Sequence, residues 1–263
     1  MTTFTALTIA GSDPSGGAGL QADLKTFHQH GVYGMAAVSL LTVQNTLGVL
    51  RVEIMSPDLL REQVEAVLAD IPPAAVKTGA LGSAALIEVV ATLRLRVPLV
   101  VDPVMVSKHG HPLLAEAAQE ALRSKLLPVT TLLTPNTQEA QVLLGRPVDT
   151  LARAQEAAAA LALLGPKAVL VKGGHLSGPD AVDVLFYDGR TVHVSAPRID
   201  AKHTHGTGCA YSAAITSRLA MGQTLEDAVR GAKAWLTSAL GSAPGLGHGV
   251  GPINHHAPVH LAP

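Results

Sequence analysis

Along almost the whole chain, apolar runs of strand length alternate with amphipathic runs of helix length. This is the pattern of β–α–β units around a mostly parallel sheet covered on both faces, an α/β fold. The strand candidates are residues 5–9, 36–42, 75–77, 99–101, 131–133 and 169–171. Helical spacing follows most of them, at 19–30, 57–71, 84–95, 115–126, 138–144 and 151–164, and two more helices are predicted at 207–221 and 225–240. Ser56-Pro57 and Asp149-Thr150 are N-cap signals, and Gly145 and Gly165 stand where helices stop. Between Val182 and Val194 two short strands flank Asp188-Gly189, which predicts a hairpin and a short antiparallel edge. No linker, repeat or low-complexity segment interrupts the pattern, so 1–263 reads as one domain, with an irregular Gly-, Pro- and His-rich tail at 245–263.

Composition narrows the function classes. A net charge of −1 and 3% aromatic residues provide neither the basic field nor the stacking platforms of a nucleic-acid binder. Residues 1–10 lack a basic leader region, and no apolar run approaches the ~18 residues that span a bilayer. The chain is therefore expected to be cytoplasmic, without a membrane or nucleic-acid partner. Cys209 is the single cysteine, so an intramolecular disulfide is impossible and a thiolate zinc site is not expected.

Two glycine-rich segments carry candidate chemistry. The first, Gly11-Ser12-Asp13-Pro14-Ser15-Gly16-Gly17-Ala18-Gly19, leaves a strand and opens a helix. Residues 17–22 formally match a dinucleotide fingerprint, but no acidic residue lies between Asp23 and Glu53 to hold a ribose, so a Rossmann dehydrogenase is set aside. A ligand-binding turn flanked by Asp13 and Asp23 remains, against the plainer reading of a tight turn. The second segment, His205-Gly206-Thr207-Gly208-Cys209, opens a helix with successive backbone N–H groups and the positive end of its dipole, an anion site. Cys209 in that first turn is a candidate proton acceptor with a depressed pKa, or a small buried hydrophobe. No Walker A motif is present, which excludes a P-loop phosphotransferase.

Other residues sit at predicted strand ends. Gln44, in Gln44-Asn45-Thr46, offers an acceptor beside two donors, the complement of an aminopyrimidine edge, although turn-forming polar residues are common there. Lys172 precedes Gly173-Gly174 and suits stabilisation of moving negative charge. Asp102, and Asn136 with Glu139, place hard oxygen donors at neighbouring strand ends, suited to Mg²⁺ held mostly through water or to plain helix capping. The pairs His109/His111, His203/His205 and His255/His256 lack zincin spacing and read as surface, loop or pocket residues.

Together, residues 11–27, Gln44-Asn45-Thr46, Val171-Lys172-Gly173-Gly174-His175, Pro197-Arg198-Ile199, 204–209 and Gly247-His248-Gly249-Val250-Gly251-Pro252 resemble the hydroxymethylpyrimidine/phosphomethylpyrimidine kinases of thiamine biosynthesis, in the ribokinase-like superfamily. The resemblance covers nearly the whole chain. It implies a ribokinase-like fold and MgATP-dependent phosphorylation of 4-amino-5-hydroxymethyl-2-methylpyrimidine, then of its monophosphate to the diphosphate. It also implies a homodimer with ATP and a small pyrimidine as partners.

By resemblance, Gly11, Asp23 and Gln44 line the pyrimidine site, Lys172 lies by the phosphates with Asn136, Thr207 and Gly208 on the nucleotide side, and Gly206 to Cys209 form the anion hole. Cys209 then stands where most of the superfamily has a catalytic Asp. Ala80 departs from the family pattern, standing where a methionine would pack on the pyrimidine. The rival readings are a pyridoxine-class vitamin kinase and a non-catalytic ligand-binding relative.

Overall fold

The computed structural model describes residues 3–105 and 114–260; His109 and His111 lie outside them. Nine strands form one sheet: β1 (Thr5–Ser12), β2 (Tyr33–Asn45), β3 (Gly48–Ile54), β4 (Ala75–Thr78), β5 (Leu99–Val101), β6 (Leu132–Leu133), β7 (Ala168–Val171), β8 (Asp180–Tyr187) and β9 (Arg190–Pro197). Their order across the sheet is β3-β2-β1-β4-β5-β6-β7-β8-β9. The run from β2 to β7 is parallel, and β3 at one edge and β8–β9 at the other are antiparallel. Asp188 and Gly189 both take positive φ at the β8–β9 turn, as the Asp-Gly pair predicts.

Among the described residues the α-helices are α1 (Gly19–Gln29), α2 (Pro57–Asp70), α3 (Ala84–Thr92), α4 (Glu116–Ala121), α5 (Thr137–Leu144), α6 (Leu151–Ala162), α7 (Thr207–Ala220) and α8 (Leu225–Gly241). Ser56 and Thr150 accept the expected capping hydrogen bonds, from the amides of Leu59 and Arg153. Gly145 ends α5 in the left-handed conformation, whereas Leu163 caps α6 and Gly165 lies just beyond it.

Strand alternation divides the core. Leu7, Ile9, Val76, Leu99, Val101, Leu133, Val169 and Val171 face a core shared with α2 to α6. Their neighbours Ala6, Ala75, Val100, Leu132, Ala168 and Leu170 face α1, α7 and α8. Both faces are covered, which is why the central strands read as continuous apolar runs.

Three features differ from the sequence reading. The predicted strand at 36–42 extends over 33–45 and turns back through β3, forming a second antiparallel edge. β3 escaped the hydrophobic pattern because its apolar side chains face solvent: Leu50 is 77% exposed and Ile54 is also exposed. The helix predicted at 115–126 is α4 followed by a π-helical turn over Leu122–Leu126.

Candidate active site

The C-terminal ends of the parallel strands open on a cavity of about 690 Å³, where ligands of open α/β sheets bind. Gly11, Gln44, Ala80, Asp102, Asn136, Glu139, Lys172 and Gly206 to Cys209 all line it. Residues up to 198 positions apart in sequence therefore meet at one site because each sits at a strand end or helix start.

At one end of the cavity, Gly206 caps α7 with φ of 77°. A side chain there would collide with the Gly17 carbonyl, so glycine is required both by conformation and by the close approach of the two glycine-rich loops. The first turn of α7, Thr207 to Cys209, lines the cavity; its N–H groups lack i−4 partners, as at any helix start, and that of Thr207 donates to Thr204 O at 3.3 Å. Lys172 lies beside them, its Nζ 2.7 Å from Asp102 Oδ1. Burial works against the ammonium, but Asp102 and Glu139 outweigh it and hold the Lys172 pKa above its ordinary value. The amide of Lys172 donates to Pro135 O and bridges β7 to Asn136.

Asn136 and Glu139 form a capping box on α5, with reciprocal hydrogen bonds of 2.8 Å. Glu139 thus caps a helix and lines the cavity at once. Burial pushes its pKa up to about 7, Lys172 opposes this and Asp102 adds to it. Among the described residues, no three His, Cys, Asp or Glu side chains converge on a metal-sized site. Two hard oxygen donors around a resident ammonium fit a divalent cation approached through water, not a direct cage.

His205, next to Gly206 in the chain, has its Nε2 2.7 Å from Asp13 Oδ2 and 3.1 Å from Gln44 Nε2. The C-terminal tail ties this region together. The Val250 amide donates to Thr46 O, the Gly249 amide to Thr46 Oγ1, and the His205 amide to Gly251 O. His203 and His205 do not form a metal pair: His203 Nδ1 accepts from the Gly251 amide, while His205 turns to Asp13.

Two expectations are corrected. Asp23 does not line the cavity. It is fully buried on α1, accepting from Thr8 Oγ1 at 2.6 Å and from Lys77 Nζ at 2.9 Å on the same oxygen. Its place in the second turn of α1 turns it under the sheet end, toward β4. Cys209 does reach the cavity, but its pKa is not depressed. The half-buried thiol is hemmed in by protein, and burial pushes it up to about 12; Asp23 and Asp102 add to the rise, while Lys77 and the Gly19 amide only partly offset it. Desolvation and two carboxylates outweigh the helix dipole.

Two sets of residues escaped sequence reasoning. Lys77 is the next-to-last residue of β4, two before Gly79, much as Lys172 directly follows β7 and precedes Gly173. Asp183 receives the Gly173 amide at 2.8 Å, Lys233 Nζ at 2.7 Å and Tyr211 OH at 3.0 Å, anchoring the loop after Lys172. These three come from β8, α7 and α8, with no shared sequence signal.

The sequence profile of the phosphomethylpyrimidine kinase family matches residues 13–254. The chain is 48% identical over 252 residues to the hydroxymethylpyrimidine/phosphomethylpyrimidine kinase of Streptomyces coelicolor, covering 95% of this chain and 93% of that protein. Among solved structures it is similar to Bacillus subtilis pyridoxal kinase in complex with ADP, with a TM-score of 0.89 and 37% identity over 97% of this chain and 98% of that one. It is likewise similar to the phosphomethylpyrimidine kinase of Clostridium difficile, with a TM-score of 0.80 and 41% identity over 90% and 99% of the two chains. With the fold ribokinase-like as expected and the glycine loops meeting at the sheet end, the chain belongs to the phosphomethylpyrimidine kinase family.

Proposed function

We propose that this protein uses ATP to phosphorylate 4-amino-5-hydroxymethyl-2-methylpyrimidine and then its monophosphate, serving thiamine biosynthesis as one cytoplasmic kinase domain. The observation that carries this reading is one cavity lined both by a carboxamide, Gln44, and by a cation, Lys172, beside a glycine-opened helix. Gly11 and Ala80 complete the pyrimidine side, and Asn136, Thr207 and Gly208 the nucleotide side. Ala80 is small, so the pyrimidine is held less tightly on that side than a methionine would hold it.

Phosphoryl transfer depends mostly on positioning and on stabilising charge spread over the moving group. The Gly206 to Cys209 amides and Lys172 supply that stabilisation. Asp102 and Glu139 would hold Mg²⁺ through water, and the ion would neutralise phosphate charge when bound. In the first reaction a bond forms from the hydroxymethyl oxygen to the γ-phosphorus, the bond to the departing ADP oxygen breaks, and the hydroxyl proton passes to the thiolate form of Cys209. With its pKa at about 12, Cys209 is a thiolate in only a small fraction of molecules at neutral pH, so turnover of the alcohol should climb with pH.

In the second reaction the nucleophile is a phosphate oxygen that is already ionised and needs no base. Cys209→Ala should therefore slow phosphorylation of the alcohol by roughly 10² while slowing that of the monophosphate much less. Equal losses on both substrates would remove Cys209 from proton transfer. The general test is incubation with MgATP and each of hydroxymethylpyrimidine, its phosphate and pyridoxal, with products identified by mass. Pyridoxal is included because the B. subtilis relative is a pyridoxal kinase of nearly the same fold. Phosphorylation of pyridoxal alone would replace the pyrimidine reading.

A homodimer fits the exposed apolar side chains of the β2–β3 edge: Leu41, Val43, Leu50 and Ile54. An edge strand of this kind is a template for a second copy. Leu50→Asp with Ile54→Asp should give a monomer by sedimentation if that edge is the interface.

A further inference from the structure

The hydrogen bonds around Gln44 fix which end of its amide faces the substrate. Asp13 Oδ1 accepts from the Ser15 amide at 2.9 Å and from Ser15 Oγ at 2.7 Å, and Oδ2 accepts from the Ala18 amide at 2.8 Å. Both oxygens already receive N–H or O–H donors, so Asp13 is an ionised, acceptor-only carboxylate. Burial alone would raise its pKa, but His205, Ser15 and Ala18 outweigh that and hold it below the ordinary carboxylate range.

The remaining neighbour of Oδ2 is His205 Nε2 at 2.7 Å, which must therefore be the donor. Gln44 Nε2 is placed 3.1 Å from the same nitrogen, which sets two N–H donors against each other. A ring N–H in that place repels an amide N–H and attracts an amide oxygen. The two ends of a carboxamide are interchangeable in shape and are told apart by such networks. Turning the carboxamide end for end removes that conflict, with Oε1 toward His205 and the NH₂ group left for the cavity.

The imidazole is well held for this purpose. A side chain at residue 17 would meet His205 Cδ2 and Pro252, so the ring is packed against the first glycine loop and the tail. Its own amide donates to Gly251 O at 3.0 Å.

We propose that His205, held by Asp13, is a positioning residue that sets the polarity of the Gln44 carboxamide, so that the cavity presents an N–H donor selecting a heteroaromatic ring with an unprotonated nitrogen on that edge. The substrate identity in this proposal rests on the function proposed above; the polarity of the amide does not. Oε1 keeps a second lone pair, so an exocyclic amine next to the ring nitrogen adds to recognition without being its main determinant.

The direct test is a long-range ¹H–¹⁵N spectrum of histidine-labelled protein without ligand, with His205 assigned by difference from His205→Asn. Nε2 protonated is the expected result; Nε2 bare with the proton on Nδ1 overturns the proposal. In kinetics, His205→Asn should raise KM for hydroxymethylpyrimidine roughly 10- to 100-fold and KM for ATP far less. A change confined to ATP would count against it. Gln44→Glu keeps an acceptor toward His205 and removes the donor, so it should raise pyrimidine KM as much as Gln44→Leu; near-normal KM in Gln44→Glu overturns the proposal. An analogue with carbon in place of the ring nitrogen should be poor for the wild type and lose little more in Gln44→Glu. If the wild type fails to phosphorylate hydroxymethylpyrimidine at all, the substrate reading fails while the protonation of His205 still decides the polarity.

Discussion

Lys77 and Lys172 stand at the ends of two parallel strands, one just inside β4 and one just beyond β7, each followed by glycine within two residues and each paired with an aspartate. The distances are alike, 2.9 Å from Lys77 to Asp23 and 2.7 Å from Lys172 to Asp102. Access separates them. Lys77 and Asp23 are both 0% exposed, whereas Lys172 is 13% exposed at the cavity wall. The first pair is structural and the second can meet a ligand. An ion pair's chemistry can thus be identical while its role is decided by whether solvent and substrate reach it.

The largest effect that would test this contrast is on stability. Lys77→Met leaves Asp23 buried without its cation, and breaking such a pair costs about 3–5 kcal/mol. Replacing both, as Lys77→Met with Asp23→Leu, should recover much of that loss, because no charge is then stranded. Urea denaturation measures both variants; wild-type stability in the single variant would contradict the sealed-pair account.

Lys172→Met should do the reverse. A lost cation at the transferring phosphoryl group costs roughly 10²–10³ in kcat, with a smaller stability loss than Lys77→Met because Asp102 lines the cavity whereas Asp23 lies behind it. The contrast breaks if folded Lys77→Met loses as much turnover as Lys172→Met.

Histidine extends the comparison to smaller effects. Burial holds the pKa of His30, packed edge-on against Trp235, at about 4, with Arg218 adding to it and a hydrogen bond to Thr26 O opposing. Burial and then Lys25 depress His255 to the same value. The unfolded chain protonates these groups near 6.5, the folded one only near 4, so stability is full above 6.5 and drains away as pH falls between those values. The loss is about 2 kcal/mol per histidine by pH 5. In melting curves at pH 7 and pH 5, His30→Gln should shrink the gap between the two temperatures; an unchanged gap would show that His30 is already accessible to protons.

Much of the fold was legible because burial on both sheet faces writes itself into runs such as Val169-Leu170-Val171, and because caps such as Ser56 and turns such as Asp188-Gly189 act locally. β3 was not legible, since exposed apolar residues leave no burial pattern. Within the site, the glycines, Gln44 and Lys172 could be read from their positions at strand ends and at a helix start.

By itself the sequence determined the α/β alternation, the two glycine-rich loops and the set of polar residues at the carboxyl ends of the strands, because each depends on neighbours a few positions away. Only the tertiary structure decided that Asp23 lies beneath the cavity, that the Cys209 thiol is pushed up by burial with carboxylates distant in sequence adding to it, and that Asp13 and His205, 192 positions apart, meet at Gln44. Desolvation and hydrogen-bond polarity belong to the surroundings of a group, and those surroundings come from segments that the chain brings together only on folding.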